Sequence, residues 1–176
     1  MKSLTSTELK RLHRSWRQRS NRRLALLLDN VQGPFNVGAI VRMAAAERVE
    51  HIYIAGVTPA LNNTKVGKTA LGTERYLTWS GFESLAKALD QIKDDGYSLI
   101  GIELADQAGP LHEAPLVGDI CLAVGHEDHG LSALTLAACD EVAYIPQMGR
   151  VGSLNVSQAA SIAIYEARRR EWTLPS

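Results

Sequence analysis

The run 145–160 (IPQMGRVGSLNVSQAA) carries the groups best placed for chemistry on a small polar ligand. Ser153 brings a hydroxyl and Asn155 an amide, and both hydrogen-bond hydroxyl and phosphate groups. The spacing around them predicts a strand over 142–145, ended by Pro146, which has no N–H to donate. Gly149 and Gly152 permit a backbone path that other residues resist. Ser153 then offers an N-cap to an apolar helical pattern through Ala160, Ile164 and Ala167. A glycine turn feeding a helix suits a polar or anionic ligand, and it equally suits a plain connection. No Ser-His-Asp pattern makes Ser153 a hydrolytic nucleophile.

Two other charges invite a role. Glu127 follows the apolar run 120–124 and Gly125. Acids past the carboxyl end of a parallel strand often face a ligand crevice, although a solvated loop carboxylate has the same pattern. Arg42 interrupts an apolar helix whose buried stripe is Val37, Val41, Ala44 and Ala45. It points about 100° away from Val41, either as an ordinary surface arginine or as a fork suited to phosphate. Asn36 is positioned to cap that helix. His126 and His129 flank Glu127, but no Cys or third His lies near, so they read as loop residues and no metal is expected. The stretch 66–69 (VGKT) lacks the glycine that a P-loop needs five residues before Gly67, since position 62 is Asn62.

Three blocks resemble, in order and spacing, the motifs of the SpoU/TrmH family of RNA 2′-O-methyltransferases in the SPOUT superfamily. They are 36–42 (NVGAIVR), 122–132 (LAVGHEDHGLS) and 145–166 (IPQMGRVGSLNVSQAASIAIYE). The resemblance spans roughly 24–171. It implies an α/β fold with a mostly parallel sheet flanked by helices and a C-terminal deep trefoil knot. It further implies a homodimer that methylates a ribose 2′-hydroxyl with S-adenosylmethionine. Arg42 would act at the ribose, with Asn36 orienting it or only capping its helix. Glu127, Ser153 and Asn155 would complete the catalytic set, Glu127 by holding the arginine or the RNA. The cofactor pocket would use Leu104, Gly125, Ile145 and Leu154, with Met148 and Gly149 nearby. Val156, Ala159, Ala160 and Ala163 would form a close-packing dimer face, or ordinary core in a monomer. His126 departs from the Asn or small residue usual there. The segments 100–103 (IGIE) and 145–147 (IPQ) are most similar to members that methylate the D-loop guanosine of tRNA. Ribosomal RNA, or an inactive RNA-binding protein on the same scaffold, are the alternatives.

The elements that must position these groups follow from hydrophobic periodicity. Apolar runs at 24–28, 51–55, 97–104 and 120–124 read as buried strands. Helical patterns cover 82–93, with Leu85, Ala88, Leu89 and Ile92 on one face, and 134–138. A short strand is expected at 75–79, and 56–73 reads as loop. Residues 1–23 read as a basic helical extension capped by Ser6 or Thr7 and reaching about Ser20, and 24–176 as the catalytic domain. Strands alternating with helices predict an α/β domain.

Composition bounds the rest. The 176 residues are 45% hydrophobic and 22% charged, as in an ordinary globular domain, with a formal net charge of zero. No apolar run approaches the ~20 residues of a membrane span, and no signal core is present, so a cytoplasmic location is expected. Cys121 and Cys139 are too few and too far apart for a zinc motif and read as buried thiols. The charge is uneven. Arg11, Arg14 and Arg17 lie in a basic N-terminal stretch, Lys65 and Lys68 in the 56–73 loop with Arg75, and Arg168, Arg169 and Arg170 near the end. Such patches steer phosphate-rich partners, and by the resemblance Arg11, Arg14, Arg17, Lys65 and Lys68 would contact RNA. Solvated helix faces carry the same charges.

Overall fold

The apolar runs become the middle of a parallel sheet. A computed structural model of the chain describes residues 1–173. In chain order the elements are α1 (Ser6–Arg17), β1 (Leu24–Asp29), α2 (Pro34–Ala46), β2 (His51–Ala55), α3 (Thr64–Ala70), a 3₁₀ turn (Thr73–Tyr76) and β3 (Thr78–Phe82). They continue with α4 (Leu85–Asp94), β4 (Ser98–Ile102), β5 (Gly109–Pro110), β6 (Ile120–Val124), α5 (Ala133–Ala138), β7 (Glu141–Tyr144) and α6 (Val156–Thr173). The sheet order is β3-β2-β1-β6-β4-β7-β5, and every pairing is parallel. β1 and β6 are buried throughout, which explains their unbroken apolar sequence.

Alternate residues of each strand serve opposite faces. Leu24, Leu26 and Leu28 of β1 join Leu122 and Val124 in the core beneath α2, α3 and α6. Ala25 and Leu27 join Tyr53, Cys121 and Ala123 beneath α4 and α5. The result is the expected α/β architecture, with helices on both faces of a parallel sheet.

Several boundaries differ from expectation, each for a local reason. Thr5, not Ser6 or Thr7, caps α1, through a reciprocal capping box with Glu8. Gly33 caps α2 with Pro34 in the first turn, where a missing N–H costs nothing, so Asn36 is free for other work. The expected loop at 56–73 contains α3, capped by Asn63. Its buried Val66 and Ala70 pack on α2, where any side chain at Gly38 would meet the Val66 carbonyl and Thr69. The strand expected at 75–79 begins only at Thr78, after the 3₁₀ turn.

Val156, Ala160 and Ala163 lie in the chain's own core and so form no exposed dimer face. Ile162 and Tyr165 are the exposed large apolar residues of α6. α1 buries none of its residues. It reaches the rest of the chain through Trp16, whose ring lies 4.9 Å from that of Trp172.

The arginines near the C-terminus do not form a basic patch. Arg168 is 3% exposed and donates to the carbonyls of Arg22, Glu47 and Arg48, to Ser20 Oγ and to Glu171. Arg169 and Arg170 pair with Glu166. Cys121 is fully buried and Cys139 partly so, and burial pushes both thiols up, Cys139 to about 11. Among the described residues, no helix is long and apolar enough to cross a membrane, and no cluster of three or more His, Cys, Asp or Glu could hold a metal.

Candidate active site

A cleft of about 300 Å³ opens past the carboxyl ends of β4, β6 and β7, where Ile102, Val124 and Tyr144 reach its wall. This is where parallel α/β sheets commonly hold ligands. Leu104, Gly125, Ile145 and Leu154, expected to hold a cofactor, all line it, as do Glu127 and Ser153. Met148 and Gly149 do not. Met148 is 99% exposed, and a side chain added at Gly149 would meet nothing. The segment that carries them swings out into solvent once Pro146 ends the strand pairing.

Glu127 is the centre of a polar network. Its Oε1 accepts hydrogen bonds from the Gly33 N–H (2.8 Å) and Asn36 Nδ2 (2.9 Å), and its Oε2 from the Gln32 N–H (3.0 Å). Asn36 Oδ1 in turn accepts from Asn155 Nδ2 at 3.0 Å. Burial pushes the Glu127 carboxyl up, but the bonds from Asn36 and from the backbone outweigh burial and hold it below its ordinary value. The amino end of α2 also favours a negative charge at this point. Gly33 leaves room for this contact: a Cβ would sit 2.7 Å from Glu127 Oε1 and 2.9 Å from Asn36 Nδ2, so those side chains would have to shift.

Asn155, rather than Ser153, caps α6. Its Oδ1 accepts from the N–H and hydroxyl of Ser157, and its carbonyl from the Ala159 N–H. Ser153 sits two residues earlier with its hydroxyl exposed at the cleft. Asn155 therefore has one amide group doing two jobs, capping through its oxygen and reaching α2 through its nitrogen.

Arg42 stands apart. It lies about 9 Å along α2 from Asn36 and about 120° around its axis. It is exposed and lies outside the cleft lining, and its guanidinium makes no hydrogen bond or ion pair with the described residues. Neither Asn36 nor Glu127 holds it within this chain, because both are committed to the network with Asn155. Arg11, Arg14 and Arg17 are exposed on α1, and Lys65 and Lys68 on α3, all outside the cleft.

Sequence reasoning missed two supports of the site. Glu103 accepts from the N–H groups of Leu104 (2.9 Å) and Leu131 (2.8 Å), tying the end of β4 to the loop after β6. The signal that singled out Glu127, an acid just past a strand, applies to Glu103 as well, and extending the expected strand to residue 104 hid it. Asp29, 1% exposed, accepts from the Ser132 N–H and the Thr135 hydroxyl and so anchors the start of α5. Gln147, also on the cleft wall, has a buried Oε1 without a hydrogen-bond partner.

Comparison with known proteins agrees with this geometry. Residues 23–165 match the model of the SpoU rRNA Methylase family. The chain is 34% identical over 154 residues to the 23S rRNA (guanosine-2′-O-)-methyltransferase RlmB of Acinetobacter baylyi, covering 87% of this chain and 62% of that protein. It thus spans about 60% of the length of such curated relatives. The SpoU methyltransferase AviRb from Streptomyces viridochromogenes, solved in complex with AdoMet, superposes with a TM-score of 0.79 at 25% identity, over 86% of this chain and 61% of that one. The A. aeolicus TrmH/SpoU tRNA modifying enzyme superposes with a TM-score of 0.76 at 25% identity, over 96% of this chain and 89% of that one. With the family model covering most of the sequence, and the second and third motif blocks lining the cleft, the chain belongs to the SpoU rRNA methylase family.

Proposed function

We propose that this chain, as a homodimer, transfers a methyl group from S-adenosylmethionine to a ribose 2′-hydroxyl of RNA. The observation that carries this reading is the relay Asn155–Asn36–Glu127, which ties three distant sequence blocks together beside the cleft that Glu127 lines. The cleft suits the cofactor. Leu104, Ile145 and Leu154 offer apolar walls for an adenosyl group, and the unpartnered Gln147 Oε1 is an acceptor in need of a donor. When bound, S-adenosylmethionine supplies an electrophilic methyl group with its own leaving group.

The residues of the chain do the positioning. Glu127 and Asn36 fix the start of α2 against the cleft mouth. The Ser153 hydroxyl is available to hydrogen-bond a ribose hydroxyl or phosphate. Arg42, exposed and outside its own cleft, serves the partner's site. There its guanidinium pairs with the phosphate beside the target ribose and favours the negative charge that develops on the 2′-oxygen. Residues 1–23 form a basic extension to the catalytic unit 24–176, with Arg11, Arg14 and Arg17, and Lys65 and Lys68 of α3, contacting RNA phosphates. The family's trefoil knot belongs to the same reading. The segment between β4 and β6 lies over α6, where Leu111 and Leu116 share its core and Arg170 donates to the His112 carbonyl.

The favoured substrate is a tRNA guanosine of the D-loop, a reading supported by the motif resemblance and by similarity to a tRNA modifying enzyme over nearly its whole length. A 23S ribosomal RNA guanosine is the second reading, favoured by the curated relatives. The test is transfer from labelled S-adenosylmethionine to total tRNA and, separately, to ribosomal RNA, beside Arg42→Ala. Ribose-methylated nucleosides in one pool, lost in the variant, support the reading and choose the substrate. Absence of cofactor binding overturns it. Mixing Arg42→Ala with Asn155→Ala subunits tests the dimer: restored transfer supports action across subunits, and no recovery overturns it.

A further inference from the structure

The turn that carries Glu127 holds two imidazoles that the methyl-transfer scheme leaves unused. His126 and His129 both line the cleft, and their ring centroids lie 4.7 Å apart with an interplanar angle of 30°. The pair is held firmly. The backbones of His126 and Gly130 exchange two hydrogen bonds of 3.0 and 2.9 Å, closing a tight turn. Gly130 has a φ of +67°, and any side chain there would strike the Glu103 carboxylate. Gly125, at the other end, packs directly on the Gly130 backbone. The Asp128 N–H donates to His126 Nδ1 at 3.0 Å, which fixes the ring's rotation and, in the neutral ring, leaves Nε2 as the donor.

From this we infer that His126 and His129 form an aromatic shelf on which a nucleobase of the RNA stacks while its ribose is presented to the cleft. The inference rests on the methyltransfer reading and names a substrate contact within it. A ribose hydroxyl reaches a buried reaction point only if its nucleotide leaves the RNA stack, and proteins commonly hold such bases against aromatic faces, histidine included. The outer ring, His129, is exposed, whereas His126 is half-buried beneath it. The exposed ring of His129 is thus the one accessible to a planar ligand, with the more covered His126 ring packed against it. A shelf already ordered in the free protein loses little conformational entropy on binding. Because every base has a π-face, the shelf contributes affinity and orientation rather than base identity.

The test compares wild type with His129→Ala and His129→Phe, using fluorescently labelled total tRNA and ribosomal RNA for binding and labelled S-adenosylmethionine for transfer. His129→Ala should weaken RNA binding and raise the KM for RNA about ten-fold, near the lower end of what one base–aromatic stack contributes. Cofactor affinity, measured by calorimetry without RNA, should change less than two-fold, and His129→Phe should recover most of the RNA affinity. No loss in His129→Ala, or no recovery with Phe, overturns the shelf. A loss that disappears at high salt also overturns it, because that would mark a phosphate contact. These outcomes are separable from failure of the function itself. A wild type that binds no cofactor and transfers no methyl group sinks the enzyme reading, while the RNA-binding arm still judges the shelf.

Discussion

The two ends of the sheet are each organised by one charged side chain, and the contrast separates structure from function. At the amino ends of the strands, the buried guanidinium of Arg168 gathers the carbonyls of Arg22, Glu47 and Arg48 with the Ser20 hydroxyl and Glu171. At the carboxyl ends, the half-buried carboxylate of Glu127 gathers two backbone N–H groups and the Asn36 amide. One hub only donates and the other only accepts. Both tie loops to helices and both border an opening, but Arg168 is 3% exposed with its hydrogen bonds spent inside the protein, whereas the half-buried Glu127 sits at the cleft that the second and third motif blocks line. Saturation and burial mark a clamp. A charge held low in pKa at a ligand-sized opening marks a site.

The largest effect should come from the clamp. Arg168→Met would leave the Glu171 carboxylate and several carbonyls buried without donors. The expected loss is about 3–5 kcal/mol, read as a lower urea midpoint with the m-value unchanged. A small shift in the midpoint would mean that water replaces the guanidinium and that the contrast is overdrawn.

At the other hub the main effect should appear in catalysis. Glu127→Gln turns one acceptor oxygen into an NH₂ that faces an N–H. The amino end of α2 should then shift and methyl transfer fall about a hundredfold, with far less loss of stability than for Arg168→Met. Equal stability losses in the two variants would erase the distinction.

Gly33→Ala probes the same hub without touching its charge. The added methyl group displaces the carboxylate, and a loss of about 1–3 kcal/mol is expected from overpacking. Acid supplies a further test. The folded pKa of Glu127 lies below its ordinary value, so its contribution to stability is complete above the ordinary value and disappears as pH falls through the folded pKa. The stability gap between wild type and Glu127→Gln should be widest near neutral pH and should close in acid. A gap that widens in acid would show that the carboxylate is strained rather than satisfied.

The smallest effect on stability belongs to α1. Replacing Arg11, Arg14 and Arg17 together by Ala should change stability by less than about 0.5 kcal/mol, since α1 buries nothing. If these residues meet phosphates, RNA affinity and its salt dependence should both fall.

Much of this was legible in the sequence where periodicity and local chemistry suffice. The strands at 51–55 and 120–124 have the expected bounds, and the face of α4 formed by Leu85, Ala88, Leu89 and Ile92 packs as its spacing indicates. The α/β class and the cleft lining at Leu104, Gly125, Ile145 and Leu154 follow from the same reading joined to the motif resemblance. What escaped depended on distant partners. α3 has only two buried residues and exists because α2 receives it. Asn36 looked like a cap because its acceptor, Glu127, lies 91 residues away. Arg168 looked like surface charge because nothing near it in sequence announces a pocket of carbonyls. Gly109–Pro110 adds a strand through pairing with β7 alone, at an edge where proline is tolerated.

The bond from Asn155 to Asn36 spans 119 residues, and that separation bears on how the site comes into being. Loop closure of this length is slow compared with helix or turn formation. β1 to β3 and α2 can fold while the chain is still being made, but the hydrogen-bond relay beside the cleft has no third member until α6 arrives. A nascent chain that stops short of residue 155 holds a sheet, a helix and a carboxylate with no site between them. The ability to take up a ligand is therefore acquired only when α6 docks against α2.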